Sequence, residues 1–259
     1  VPGSQFIQMT ANMDLQYSPV QTIGDSIYLY TNDGAPRNRL MVTTVQRPGF
    51  AEWQELVPEG SGVLEGVTFT NGRMILEYSQ DASSHAYLYT LEGRRLHEIK
   101  LPSAGSASFY GKRELKECFY SFSSFTVPGT VYRYDAEQDR STVYAQPKVN
   151  FRQGDFVTEQ VFYTSKDGTR VPMFLTYKKG LKRDGRNPVY LYAYGGFNIS
   201  LPPSFSSMRI PFLESGGIYA QANLRGGSEY GEEWHQAGTK MQKQNVFDDF
   251  IAAAEWLTT

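Results

Sequence analysis

The chain has 259 residues, with 25 Lys+Arg against 27 Asp+Glu and a formal net charge of −2. That near-balance argues against a nucleic-acid or anionic-membrane binder, whose footprint is a basic excess. Its single cysteine excludes an internal disulfide framework and any multi-cysteine metal site.

Aromatic residues make up 14% of the chain, a composition that favours pleated, half-buried β-structure over disorder. No apolar run approaches the roughly 18 residues of a membrane span, and the first residues do not read as a signal peptide. The missing disulfide potential fits a cytoplasmic protein and is also compatible with the periplasm.

The first half repeats itself. Apolar runs at residues 27–32, 74–80 and 118–124 share one shape, and aligning Tyr30, Tyr78 and Phe122 gives spacings of 48 and 44 residues. A second run follows each after a turn, at 40–45, 86–91 and 130–135, and a short third run closes each unit at 55–58, 98–102 and 142–145. Gly, Pro, Asn and Asp punctuate the joins, as turns require. Units of about 40–50 residues with roughly three or four short strands are the signature of propeller blades. A blade needs a neighbour on each face, and three blades do not close a circle, which takes about four to eight. The alternative is a β-sandwich with coincidental spacing.

The character changes after Pro147, which divides the chain into expected regions 1–147 and 148–259. A hairpin comes first, with strands at 158–165 and 170–177 around Asp167-Gly168. A basic connector then precedes the run at 188–194, apolar enough to predict a strand covered on both faces of an α/β sheet. Residues 217–224 predict another. Asn245 is the expected N-cap of a final helix, with Asp248 and Asp249 favourable near its N-terminus. Phe247, Ile251, Ala254 and Leu257 recur at helical spacing and predict its buried stripe. Hairpin, strand, strand and helix make the beginning of an α/β domain.

Two stretches can carry chemistry. In Tyr192-Ala193-Tyr194-Gly195-Gly196-Phe197-Asn198 an apolar strand runs into Gly-Gly, which lets backbone approach a ligand closely, at the strand end where α/β sheets bind ligands. A Tyr hydroxyl there is a neutral donor suited to developing negative charge; a core tyrosine before a tight turn has the same pattern. The second stretch runs from Leu224 to His235, and its plain reading is an ordered loop pinned by an Arg225–carboxylate pair. Ser228 is not a nucleophile: the elbow pattern G-x-S-x-G needs Gly where Tyr230 stands. His85 and His97 read as surface residues of the blades, His235 lacks a marked Ser or Cys partner, and Cys118 reads as a small core residue. Asn198-Ile199-Ser200 matches a glycosylation sequon. Residues alone supply no complete catalytic constellation.

The same stretches carry a resemblance. Tyr192 to Ser200, Ala222 to Gly231 and Lys243 to Phe250 resemble the prolyl oligopeptidase family in residues and in spacing. So do Tyr163 to Phe174 and Ser121 to Thr130, and the likeness covers nearly the whole chain. It implies the C-terminal blades of a seven-bladed propeller, about three of them in residues 1–147, joined to the first part of an α/β-hydrolase domain in 148–259. It also implies hydrolysis of short peptides after proline by a Ser-Asp-His triad, in a monomer with no cofactor or metal. Tyr194 would complete the oxyanion hole beside a backbone N–H, and Phe197 would wall the proline pocket. Ala193 and Ser228 stand where the family often has Gly. By the family's order the triad falls beyond Thr259, so the 259 residues alone are expected to be inactive. A sister peptidase cleaving after basic residues and a non-catalytic propeller binding module are the alternatives.

Overall fold

The computed structural model describes residues 7–10 and 14–259; residues 1–6 and 11–13 of the first expected region lie outside them. Three four-stranded antiparallel sheets come first. They hold β1 (Tyr17–Ile23), β2 (Ser26–Thr31), β3 (Arg39–Thr44) and β4 (Gln54–Val57); then β5 (Val63–Thr70), β6 (Arg73–Gln80), β7 (Ser83–Thr90) and β8 (Arg95–Ile99); then β9 (Ser106–Tyr110), β10 (Glu117–Ser123), β11 (Thr130–Asp135) and β12 (Arg140–Ala145). Strands neighbour one another in chain order in each sheet. The repeat extends to irregularities: each third–fourth strand pair shifts register once, after Leu40, Leu88 and Val131, which are 48 and 43 residues apart.

Strand alternation explains the stacking, because successive side chains point to opposite faces. In β6, Met74, Leu76 and Tyr78 pack toward the first sheet with Tyr28, Leu40 and Val57. Ile75 packs the other way, with Cys118, Tyr120 and Tyr134 of the third sheet. The middle sheet is therefore buried on both faces, which a two-sheet sandwich cannot provide. The outer face of the third sheet stays open, with Tyr110 65% and Tyr144 67% exposed.

The fourth sheet differs. It contains the hairpin β13 (Phe156–Thr164) and β14 (Arg170–Lys178), then β15 (Val189–Tyr192) and β16 (Ile218–Ala222), in the order β13-β14-β16-β15. β15 and β16 are parallel, as their crossover through α1 (Arg209–Glu214) requires. The chain continues through a short helix, α2 (Glu232–Gln236), into α3 (Gln244–Thr258).

Three expectations need correction. The run ending at Tyr194 is not covered on both faces: β15 is an edge strand among the described residues, and Tyr190 and Tyr192 are exposed. The buried face of α3 is Val246, Asp249 and Ala253, while Phe247, Ile251 and Ala254 are exposed and Leu257 is half-buried. A buried partner for the Asp249 carboxylate sets that rotation. Asn245 lies within the first turn of α3, its side chain bonded to the Ala237 carbonyl, and Lys243 takes the N-cap position.

Phe125, on the connection from β10 to β11, joins the two regions. It is fully buried, with its ring centroid 5.6 Å from both Phe174 and Tyr219. Polar contacts flank it: Ser106 donates to the Pro203 carbonyl at 3.0 Å, and Tyr230 donates to Asp81 at 2.7 Å.

Candidate functional site

Two glycine-rich loops meet at the carboxyl ends of the parallel strands β15 and β16, the position at which open α/β sheets bind ligands. The first loop leaves β15 through Tyr194, and Gly195, Phe197 and Asn198 all take left-handed backbone, with φ of +62°, +53° and +57°. For the two non-glycine residues such geometry costs about 1–3 kcal/mol each unless surroundings hold it. The surroundings do hold it. The Asn198 amide donates to the Gly226 carbonyl at 3.1 Å, and the Ile199 amide to Gly196 at 3.0 Å. Gly195 must be glycine on space as well as on φ, because a Cβ there would lie 2.6 Å from Val246 and 2.9 Å from Leu224. Lys243 donates its ammonium to the Gly195 carbonyl at 2.7 Å.

This anchoring presents two aromatic side chains outward. Tyr194 is 46% exposed, and its hydroxyl has no hydrogen-bond partner among the described residues. Phe197 is 84% exposed. Both sequence-designated residues thus sit on one short, pinned turn, separated only by Gly195-Gly196. The reading of Tyr194 as a satisfied core residue does not hold.

The second loop is organised by Arg225, which is 4% exposed. Its Nη2 donates to Asp249 Oδ1 at 2.6 Å and its Nε to Asp249 Oδ2 at 3.0 Å, while its own backbone amide also reaches Asp249. The other end of the guanidinium meets Asp167 in the β13–β14 turn. The expected Arg225–carboxylate pair is present, with two carboxylates instead of one. Burial disfavours the charge on Arg225, and the bonds to Asp249 and Asp167 outweigh it and raise the guanidinium's pKa. The hydrogen bond from Arg225 holds the Asp167 carboxyl well below the usual carboxylate range.

Three residues that the sequence did not single out fix the chain just beyond Phe197. Gln221 and Asn223 each donate to the Leu201 carbonyl at 2.8 Å. Glu229 accepts from the Leu201 amide at 3.0 Å and from Asn223 at 3.2 Å. Burial pushes the Glu229 carboxyl up. The available signal was polar residues, Gln221 and Asn223, inside an apolar strand run.

The remaining polar candidates are structural. His235 donates Nδ1–H to the Gly226 carbonyl at 2.9 Å, and Trp234 donates to the Leu224 carbonyl at 3.0 Å. The Ser228 backbone carbonyl closes a turn with the Gly231 amide. Cys118 is buried, and burial pushes its thiol up to about 12. His85 and His97 face Glu98 and Asp139 on the blades. Among the described residues no group of three His, Cys, Asp or Glu could hold a metal.

Residues 2–147 match the family model described as prolyl oligopeptidase, N-terminal beta-propeller domain, and residues 203–259 match that of the prolyl oligopeptidase family. A prolyl endopeptidase of Elizabethkingia meningoseptica is 47% identical over 98% of this chain and 36% of its own length. Prolyl oligopeptidase A of Galerina marginata is 38% identical over 93% of this chain and 33% of its own. A solved structure from a study of two prolyl endopeptidases superposes with a TM-score of 0.94 at 43% identity, covering 99% of this chain and 38% of that one. Prolyl oligopeptidase B of Galerina marginata, bound to a 35mer hydrolysis and macrocyclization substrate, superposes with a TM-score of 0.92 at 33% identity, covering all of this chain and 37% of its own. The chain therefore spans about a third of the length of the relatives it matches.

Proposed function

The chain belongs to the prolyl oligopeptidase family of serine peptidases, and from that premise we propose that it forms part of an enzyme hydrolysing short peptides on the carboxyl side of proline. Residues 1–147 supply propeller blades, and 148–259 supply the first part of the hydrolase domain. The serine, aspartate and histidine of the triad come from outside these 259 residues, which contain no G-x-S-x-G. Alone, they do not catalyse.

The observation that carries the reading is the pinned turn at the end of β15, with the Tyr194 hydroxyl free and half exposed. In acyl transfer, charge develops on the former carbonyl oxygen as the tetrahedral intermediate forms, and a preorganised donor stabilises that charge most. Tyr194 is that donor, working with a backbone N–H beside the nucleophile. A phenol suits the role, because at neutral pH it keeps its proton and donates a hydrogen bond without itself bearing charge. Phe197, three residues on, offers a flat apolar face to a pyrrolidine ring. Because the left-handed backbone at Gly195, Phe197 and Asn198 is held from the neighbouring loop, the backbone that carries both side chains is preorganised for substrate.

Reporter peptides with proline or arginine before the cleaved bond test the specificity in the full-length polypeptide. Faster turnover, by kcat/KM, of the proline reporter supports the proposal. Preference for arginine assigns the chain to a sister activity, and no hydrolysis of either leaves a binding module.

A further inference from the structure

The geometry points to Lys243 as a positioning residue for Tyr194: its ammonium, bonded to the Gly195 carbonyl, holds the turn that aims the Tyr194 hydroxyl. The inference rests on the oxyanion reading of Tyr194 given above and adds the group that keeps the hydroxyl in place.

Gly195 directly follows Tyr194 and is buried, with φ at +62°. Among the described residues, its carbonyl has one hydrogen-bond donor, the Lys243 Nζ at 2.7 Å. Removing that donor leaves a buried carbonyl unsatisfied at the hinge of the turn. The Gly195–Gly196 peptide would then rotate to find another partner, loosening the turn that Tyr194 opens. Packing alone fixes where Gly195 sits, through its tight fit against Val246 and Leu224. The carbonyl oxygen itself lies against Gly226, 2.8 Å from where a Cβ there would stand, and takes its hydrogen bond from Lys243.

No carboxylate lies within 4.0 Å of the Lys243 Nζ among the described residues, although Asp248 and Asp249 follow shortly in sequence. Asp249 is taken by Arg225, and Asp248 faces Gln244 and Lys166. The ammonium is therefore left to the Gly195 carbonyl, and it lies 3.7 Å from where a Gly196 Cβ would stand. Its backbone is anchored at the start of α3, with its amide on the Lys240 carbonyl at 3.2 Å. Val246, one turn later, seats the helix against Gly195.

The test is a double-mutant cycle in the full-length polypeptide, read with a proline reporter. Lys243→Met is expected to lower kcat about 10–100-fold, the effect of a roughly 1 Å misplacement of a reacting group, with a much smaller change in KM. In a Tyr194→Phe background the same substitution is expected to cost less than about threefold, because the hydroxyl it positions is gone. Lys243→Cys alkylated with bromoethylamine rebuilds an ammonium of similar reach on the folded protein and is expected to recover most of kcat. Equal losses from Lys243→Met in both backgrounds, or no recovery on alkylation, overturn the role of Lys243 while leaving that of Tyr194 standing. If Tyr194→Phe alone leaves kcat unchanged, the reading of Tyr194 fails, and this proposal with it.

Discussion

Asp249 and Asp167 grip the same guanidinium, yet removing Asp249 is expected to cost more than removing Asp167. The Asp249 side chain is fully buried and the Asp167 side chain 45% exposed. Asp249→Ala deletes the hydrogen bonds from Nε, Nη2 and the Arg225 amide and leaves a guanidinium only 5% exposed with one carboxylate. Breaking a buried pair from one side costs about 3–5 kcal/mol; the remaining Asp167 contact puts the expected loss near the lower end. Asp167→Ala removes a half-solvated ion pair worth about 0–1 kcal/mol and a turn hydrogen bond to the Thr169 amide worth about 1 kcal/mol. The expected losses are therefore about 3 kcal/mol against about 1–2 kcal/mol. Hydrogen exchange of peptides covering 222–235 reports local opening of this loop separately from the propeller sheets. An Asp167→Ala loss equal to or larger than that of Asp249→Ala would refute the reasoning that burial decides the strength of this clamp.

Other expectations follow from the same geometry. Phe197→Ala should reduce the preference for proline over alanine before the cleaved bond, seen as a fall in the ratio of kcat/KM values with kcat for good substrates little changed. Asp167 has a depressed folded pKa, so its contribution to stability is present above about pH 4 and is lost as pH falls toward the folded value. Asp167→Asn should flatten the acid limb of a melting-temperature profile. Glu77 behaves oppositely: burial pushes its carboxyl up to about 7, against hydrogen bonds from the Phe109 amide and Thr68 that favour the ion. Its contribution to stability is full below the ordinary carboxylate range and declines as pH rises toward 7, so Glu77→Gln should be better tolerated at pH 8 than at pH 4.

The blades were legible because a two-residue alternation writes both faces of a sheet into one strand, as Met74, Ile75 and Leu76 do. The first strand of each unit was not singled out. β1 carries Pro19 and Gln21 around a register shift, and β9 is a short Ser106-Ala107-Ser108 lead into Phe109. Helix α1 escaped notice at six residues with Pro211 inside it. The face of α3 was misread for a physical reason: hydrophobicity put Phe247 and Ile251 inward, whereas the need of Arg225 for a buried carboxylate turned Asp249 inward instead. At the site, Gly-Gly after an apolar strand located Tyr194 and Phe197. Lys243 was invisible to local pattern, since its partner lies 48 residues away and is a backbone carbonyl.

The role of Tyr194 is tested most directly by kcat for a proline reporter in the full-length polypeptide carrying Tyr194→Phe, which removes one hydroxyl and leaves the ring in place. A loss of about 10²–10³-fold, with KM nearly unchanged, is the result expected of a lost oxyanion donor. An unchanged kcat would contradict it.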